Sequence, residues 1–261
     1  MADREKVLRY YRGTEGAELA ARLLDLAEAA AKSRKFRLTE FLDPYGSEIA
    51  ETAASVYEGL SVVFDGGYAG AERRRAAFVH GDFPGTVSFE ITALKASWNG
   101  EYCRLTHRDV LGALLGAGID RAVTGDILLQ GVSATILLDR KIEPFVRAQL
   151  TQIGAAGITL EAASLEEIAP REERCKEIKA TVASLRVDSV AAAGFGSSRS
   201  KIADDIAADK LKLNWQPVKS ASQTVKAGDI LSMRGRGRLE VAEVRGQTKK
   251  GRTGLLLKRY I

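Results

Sequence analysis

Ser198-Arg199-Ser200-Lys201 puts two cations at the start of a helix, because Ile202, Ala203, Ile206 and Ala207 behind them share one face. Cations there oppose the helix dipole, which favours anions at the N-terminus by about 0.3 to 1 kcal/mol. The arrangement makes sense if a phosphate completes the site against the free N–H groups; otherwise both side chains extend into water. Further on, Ile230 to Arg234 reads as a strand followed by Gly235-Arg236-Gly237-Arg238. If that strand continues, Arg234, Arg236 and Arg238 fall on one face about 6.5 to 7 Å apart, near the spacing of successive phosphates. Trp215 ends an alternating strand, Lys210 to Asn214, and is either a plug beneath this sheet or a stacking platform for a base.

Signals for catalysis fail on context. Gly246-Gln-Thr-Lys-Lys-Gly251-Arg252-Thr253 nearly has P-loop spacing, but Arg252 stands where Lys is needed and the following residues read as a strand, not a helix. His107-Arg108-Asp109 imitates a kinase triplet, yet Thr106 and Asp109 are placed as a helix capping box, which accounts for them. There is no G-x-S-x-G, no H-E-x-x-H and no C-x-x-C, and the chain has only two histidines and two cysteines, Cys103 and Cys175. Neither a zinc site nor a disulfide framework is expected, and the thiols read as reduced and inert.

The charge is unevenly spread. Over 261 residues, 39 Lys and Arg outnumber 34 Asp and Glu, a formal +5. Residues 181–261 hold sixteen basic and seven acidic residues, net +9, which leaves −4 for residues 1–180. A basic module on a slightly acidic body marks a nucleic-acid-binding part. Hydrophobic residues at 45% exclude wholesale disorder. The start, Met1 to Lys6, has no apolar targeting core and no stretch is long enough to span a membrane, so a cytoplasmic protein without a membrane partner is expected.

The elements that must position these residues follow from periodicity. Gly16 to Arg34 is helical, with Leu19, Leu23, Leu26 and Ala30 beside Ala20, Leu24, Ala27 and Ala31. Asp43-Pro44-Tyr45-Gly46 reads as a turn before a second helix that Ser47 caps. Leu60 to Phe64 and Arg75 to Val79 are strands joined by a hairpin-type turn at Asp65-Gly66-Gly67. Arg73-Arg74-Arg75 is either a phosphate contact or a solvated strand edge.

From Val87 the order is strand (87–96), helix (106–115), strands 126–130 and 133–138 around Gly131, helix (143–153 with Pro144 in its first turn) and strand 158–162. That β-α-β-β-α-β order is ferredoxin-like and RRM-like. A base-stacking RRM carries aromatics in its third strand, but Gly131 to Leu138 has none, so any RNA contact here is expected through shape or backbone. Pro170 to Arg174 is a charged link, and Ile178, Ala180 and Val182 alternate as a strand. The fold class is α+β: a mostly helical region over 1–75, an RRM-like domain over 76–170 and a basic module over 181–261.

Leu185-Arg186-Val187-Asp188, Ser198-Arg199-x-Lys201, Lys212-Leu213-Asn214, Ser222 and Val225-x-x-Gly228-Asp229-x-Leu-Ser-Met-Arg234-Gly235 resemble the S4 RNA-binding domain over about sixty residues. With Leu105 to Leu115, Gly246 to Arg252 and Arg259-Tyr260, most of the chain resembles the YlmH family, whose cyanobacterial relatives are labelled photosystem II S4-domain proteins. The resemblance implies a non-enzymatic, cofactor-free factor of bacterial ribosome-associated quality control. Such a factor binds rRNA and peptidyl-tRNA on obstructed large ribosomal subunits and assists C-terminal alanine tailing of the stalled chain. It is expected to work as a monomer, with room for a quality-control protein partner. The implied RNA-binding surface is Arg186, Ser198, Arg199, Lys201, Lys212, Asn214 and the Arg234, Arg236, Arg238 strand; Trp215 and the basic residues Lys249, Lys250 and Arg252 join it. Trp215 departs from the S4 pattern, which often has Gly there. An S4-bearing RNA-modifying enzyme is the alternative. Yet Gly237-Arg238-Leu239-Glu240 has Glu where a pseudouridine synthase has Asp, and no tyrosyl-tRNA synthetase loops are present. A heat-shock-type factor that recycles stalled subunits is a third reading.

Overall fold

A computed structural model of the chain describes residues 2–101, 103–169, 175–248 and 251–260. It divides into two compact units, Met1–Arg171 and Glu172–Ile261. The charged link over residues 170–174 lies outside the described residues. Among the described residues no helix is long and apolar enough to cross a membrane.

The first unit opens with helices α1 (Ala2–Tyr11) and α2 (Ala17–Ser33). In α2 the expected stripe is buried at Ala20, Leu23, Leu24, Ala27 and Ala30, and the helix stops at Arg34 in the left-handed region. The charged α1 has no such stripe and is fastened to α2 by Arg4, which reaches Asp25 at 2.5 Å and Glu28 at 3.5 Å. Strand β1 (Phe36–Leu42) leads into α3 (Pro44–Ala54), which begins three residues before the expected Ser47. Asp43 is the cap: its Oδ1 accepts from the Gly46 N–H at 2.8 Å, with Pro44 in the first turn where a missing N–H costs nothing. Strands β2 (Leu60–Asp65) and β3 (Arg74–His80) pair from Leu60↔His80 to Asp65↔Arg75, in a sheet of order β1-β3-β2. The expected tight turn at Asp65-Gly66-Gly67 is instead a longer excursion over 66–73. Asp126 holds it, accepting from the Glu72 and Arg73 N–H groups at 2.8 and 3.1 Å. The expected boundary between residues 75 and 76 falls inside β3.

The middle of the unit is β4 (Ile91–Ser97), α4 (His107–Gly116), β5 (Thr124–Gln130), β6 (Ser133–Asp139), α5 (Glu143–Gln149), a small hairpin β7 (Gln152–Ile153) and β8 (Ala156–Gly157), and β9 (Thr159–Ala163). Sheet order β5-β6-β4-β9 with every pair antiparallel is the ferredoxin-like arrangement. β4 starts at Ile91 rather than Val87 because Glu90, at φ 50°, breaks the extended run. α5 ends at Gln149, and Ile153 is in β7 instead. The Thr106–Asp109 capping box is present, with the Thr106 N–H donating to Asp109 Oδ2 at 2.8 Å.

Both faces of this sheet are covered. Leu94, Ala96, Ile127, Ile136 and Leu138 pack with Val110 and Leu114 of α4 and Val146 of α5. On the opposite face, Ile91, Ala93, Leu128 and Leu137 pack against Phe41 of β1, with Tyr68, Phe89, Leu165 and Ile168 around them. The surface on which an RRM stacks bases is therefore interior here.

Arg73, Arg74 and Arg75 are neither a phosphate contact nor a solvated edge. Arg75 is 6% exposed, pairs with Asp139 at 3.0 Å and donates to the Thr39 carbonyl at 2.8 Å. Arg73 donates to the Thr124, Phe41 and Arg121 carbonyls, each at 2.9 Å. Arg74 lies over the Phe64 ring at 4.6 Å. Burial holds Arg73 and Arg75 below the usual guanidinium range, partly offset by neighbouring carboxylates; burial and the nearby Arg73 charge take Arg121 down to about 10.

The second unit comprises β10 (Cys175–Val182), α6 (Val187–Phe195), α7 (Arg199–Ala207), β11 (Leu211–Leu213), β12 (Gln216–Pro217), β13 (Ile230–Met233), β14 (Gly237–Gln247) and β15 (Thr253–Tyr260). Its antiparallel sheet runs β10-β15-β14-β13-β11-β12. Val187, Val190, Ala191 and Phe195 of α6 and Ile202 and Ile206 of α7 share a core with Leu211, Leu231, Leu239 and Leu257. Ala203 and Ala207 are exposed, so α7 buries a narrower stripe than its sequence pattern suggests. Gly194 is required: a Cβ there would stand 2.1 Å from Leu239 Cδ2.

Candidate nucleic-acid interface

The apolar run from Val187 to Phe195 forms α6, and Asp188 sits in its first turn. Asp188 is 5% exposed, yet its carboxylate accepts from two arginines. Arg199 reaches Oδ2 through Nη2 at 2.6 Å and Nε at 3.2 Å; Arg186 reaches Oδ1 through Nε at 3.2 Å and Oδ2 through Nη2 at 3.3 Å. Burial alone pushes this carboxyl up, but the two guanidinium groups outweigh it and hold it below the usual carboxylate range. Each arginine spends one edge on Asp188. Their Nη1 groups have no hydrogen-bond partner among the described residues. One carboxylate against two guanidinium groups leaves a net positive charge in a fork geometry suited to phosphate.

α7 begins beside this clamp. Ser198 caps it, its Oγ accepting from the Lys201 N–H at 3.2 Å, while Lys201 itself is exposed. The sequence singles out Arg199 and Lys201 but gives Asp188 no role. An acid two residues after Arg186, at the head of an apolar helix, is the signal that points to it.

The structure disperses the rest of the expected set. Arg234, Arg236 and Arg238 do not share a strand. β13 stops at Met233, which pairs with Gly237, so Arg234-Gly235-Arg236 is a turn, with Gly235 at φ 79° and Gly237 at φ 86°. Arg234 is exposed. Arg236 donates to the Phe195 carbonyl at 3.2 Å, satisfying the C-terminal end of α6. Arg238 lies 5.5 Å from the Tyr260 ring. Lys212 and Arg238 alternate with the buried Leu211, Leu213 and Leu239, so both leave the sheet on the face opposite α6 and α7. Arg252 is tied to β10 through Thr181, at 2.6 Å to its carbonyl. Lys249 and Lys250 lie outside the described residues.

The expected strand Lys210 to Asn214 is shorter, Leu211 to Leu213, because Asn214 and Trp215 turn at φ 48° and 62°. Asn214 is spent inside the unit: its Oδ1 accepts from the Ile230 N–H at 2.9 Å and its Nδ2 donates to Asp229 at 3.0 Å. Trp215 is half-buried and outside the core, so it is not a plug beneath the sheet. Among the described residues the P-loop-like segment leads from β14 into the strand β15 rather than into a helix.

An arginine-bearing helix pair on an antiparallel sheet, in a chain that also holds a ferredoxin-like fold, defines an S4-domain RNA-binding protein. Sequence comparison agrees along the chain. Family models described as "YlmH, N-terminal", "Putative RNA-binding domain in YlmH" and "S4 domain" match residues 15–83, 84–167 and 185–231. The chain is 34% identical over 217 residues to ribosome-associated protein quality control protein P2 of Bacillus subtilis (strain 168), covering 83% of this chain and 84% of that protein. It is also similar to the solved structure of cell division protein ylmH from Streptococcus pneumoniae, with a TM-score of 0.51 and 25% identity. That match covers 59% of this chain and 95% of the other. The chain belongs to the YlmH family.

Proposed function

We propose that this protein binds ribosomal RNA and peptidyl-tRNA on obstructed large ribosomal subunits and assists C-terminal alanine tailing of the stalled chain. It acts there by positioning, as a cytoplasmic monomer without a catalytic residue or cofactor. The observation that carries the reading is the Asp188 clamp, which presents Arg186 and Arg199 beside the Lys201 end of α7 as a preformed phosphate site. The Bacillus relative's name places that protein in ribosome-associated quality control, and the same setting fits this chain. In this reading Arg186, Arg199, Lys201 and Arg234 touch RNA. Ser198, Asn214 and Arg236 shape the surface, and the sheet of the middle domain stays out of the contact.

Pull-down of the tagged protein followed by sequencing of the bound RNA tests this. Recovery of tRNA together with large-subunit rRNA supports it, and mRNA alone contradicts it. Mass mapping of rRNA incubated with the pure protein separates it from a modifying enzyme, which would leave altered nucleotides.

A further inference from the structure

β11 and β12 pair as Leu213↔Gln216 and Lys212↔Pro217, so Asn214 and Trp215 are the whole of a two-residue hairpin loop. Their φ values of 48° and 62° place both in the left-handed region, as in the type I′ turn whose second position favours glycine. Asn is among the side chains that tolerate this region; a bulky aromatic at such a φ is an outlier. The turn cannot relax. The Asn214 N–H donates to the Ile230 carbonyl at 2.8 Å, the Asn214 side chain bonds Ile230 and Asp229, and the buried Asp229 also accepts from the Lys226 N–H at 2.8 Å.

The half-buried Trp215 does not offset this strain within the core cluster. It is absent from the core, and among the described residues it has no hydrogen bond or ring contact. The chain's other tryptophan, Trp98, is 7% exposed within the core of the ferredoxin-like body. Around the turn the sequence holds Lys210, which pairs with Asp205, and Lys212, Lys219 and Lys226, while the Asp229 carboxylate that Asn214 bonds is buried. Strain kept at a rigid turn among lysines, under an aromatic ring that stays partly exposed and outside the core, points to a ligand with a flat apolar face and a negative backbone.

We infer that Trp215 is a stacking platform for one unpaired nucleobase, so that the C-terminal unit engages single-stranded as well as paired RNA. This rests on the RNA-binding reading above and adds to it a contact with a base rather than with phosphates.

The test uses the full chain, a blunt RNA duplex and the same duplex with an unpaired oligoadenosine tail. The tailed RNA is expected to quench the emission of Trp215, identified by its loss in Trp215→Phe, while Trp98 contributes a constant background. Trp215→Gly is expected to bind the tailed RNA about tenfold more weakly and the blunt duplex unchanged. Because glycine relieves the turn, this variant is also expected to melt at a higher temperature, so lost binding is not misfolding. Unchanged emission, or an equal loss on both RNAs, overturns the stacking role while leaving the phosphate site standing. Wild-type protein that binds neither RNA overturns both readings.

Discussion

The Arg199 guanidinium stands 2.6 Å from the carboxylate of Asp188, a residue only 5% exposed. A single buried acid thus fixes two surface arginines from different segments, Arg186 before α6 and Arg199 at the head of α7. The guanidinium groups reach the surface, and the carboxylate that holds them does not. Long side chains that would otherwise lose entropy on binding are ordered in advance.

Replacing Asp188 by Asn should therefore weaken RNA binding even though it removes a negative charge. The same change should lower stability by about 2 kcal/mol through loss of charged hydrogen bonds. RNA titration beside urea unfolding checks both. An affinity that rises would mean the clamp is only a structural tie.

The pH dependence has a definite sign. Asp188 has a depressed pKa in the folded state, so its contribution is present above the unfolded carboxylate value and is lost as pH falls through the lower folded value. Acid unfolding followed by circular dichroism should show a shallower loss as pH falls below about 4 in Asp188→Asn than in the wild type.

Phosphate contacts can be counted by salt. Arg199→Ala and Lys201→Ala should each reduce the slope of log affinity against log salt by about 0.9, and the double variant by roughly twice that. Arg236→Ala should leave the slope unchanged, because that guanidinium serves the Phe195 carbonyl. A fall with Arg236 and none with Arg199 would reverse the assignment.

Arg75 and Arg74 are neighbours with opposite fates. Arg75→Ala strands the Asp139 carboxyl beside the sheet and should cost about 3 to 5 kcal/mol, whereas Arg74→Ala, which loses only a ring contact, should cost about 1. Denaturant midpoints of the two variants separate them.

What was legible in the sequence was what is local. The α2 stripe, the Thr106–Asp109 box and the β-α-β-β-α-β order rest on spacing within a few turns or strands. α1 was hidden because its tie to α2 is ionic, through Arg4, and β1 because its partner β3 is far along the chain. The arginines at 73–75 read as surface because their partners, Asp139 and the Thr124 carbonyl, lie some fifty or more residues on. Arg234 to Arg238 misled for another reason. Gly235 and Gly237 signalled a turn, and arginine alternation masked it. At the candidate site, Arg199 and Lys201 were visible as misplaced cations, while Asp188 needed the fold to bring it against Arg199.

Phe41 offers the last test, of how the first unit is built. It belongs to β1, yet it is 3% exposed in the cluster that closes the ferredoxin-like sheet, against Ile91, Leu128 and Leu137. Truncation to alanine should cost about 3 to 5 kcal/mol. Trp98 lies in the core on the other side of that sheet and reports the body alone. If the sheet depends on β1 for its second face, Phe41→Ala made in a Trp215→Phe background should shift the unfolding followed by Trp98 emission by the same amount as that followed by circular dichroism. A Trp98 transition left at the wild-type midpoint would show the body standing without it.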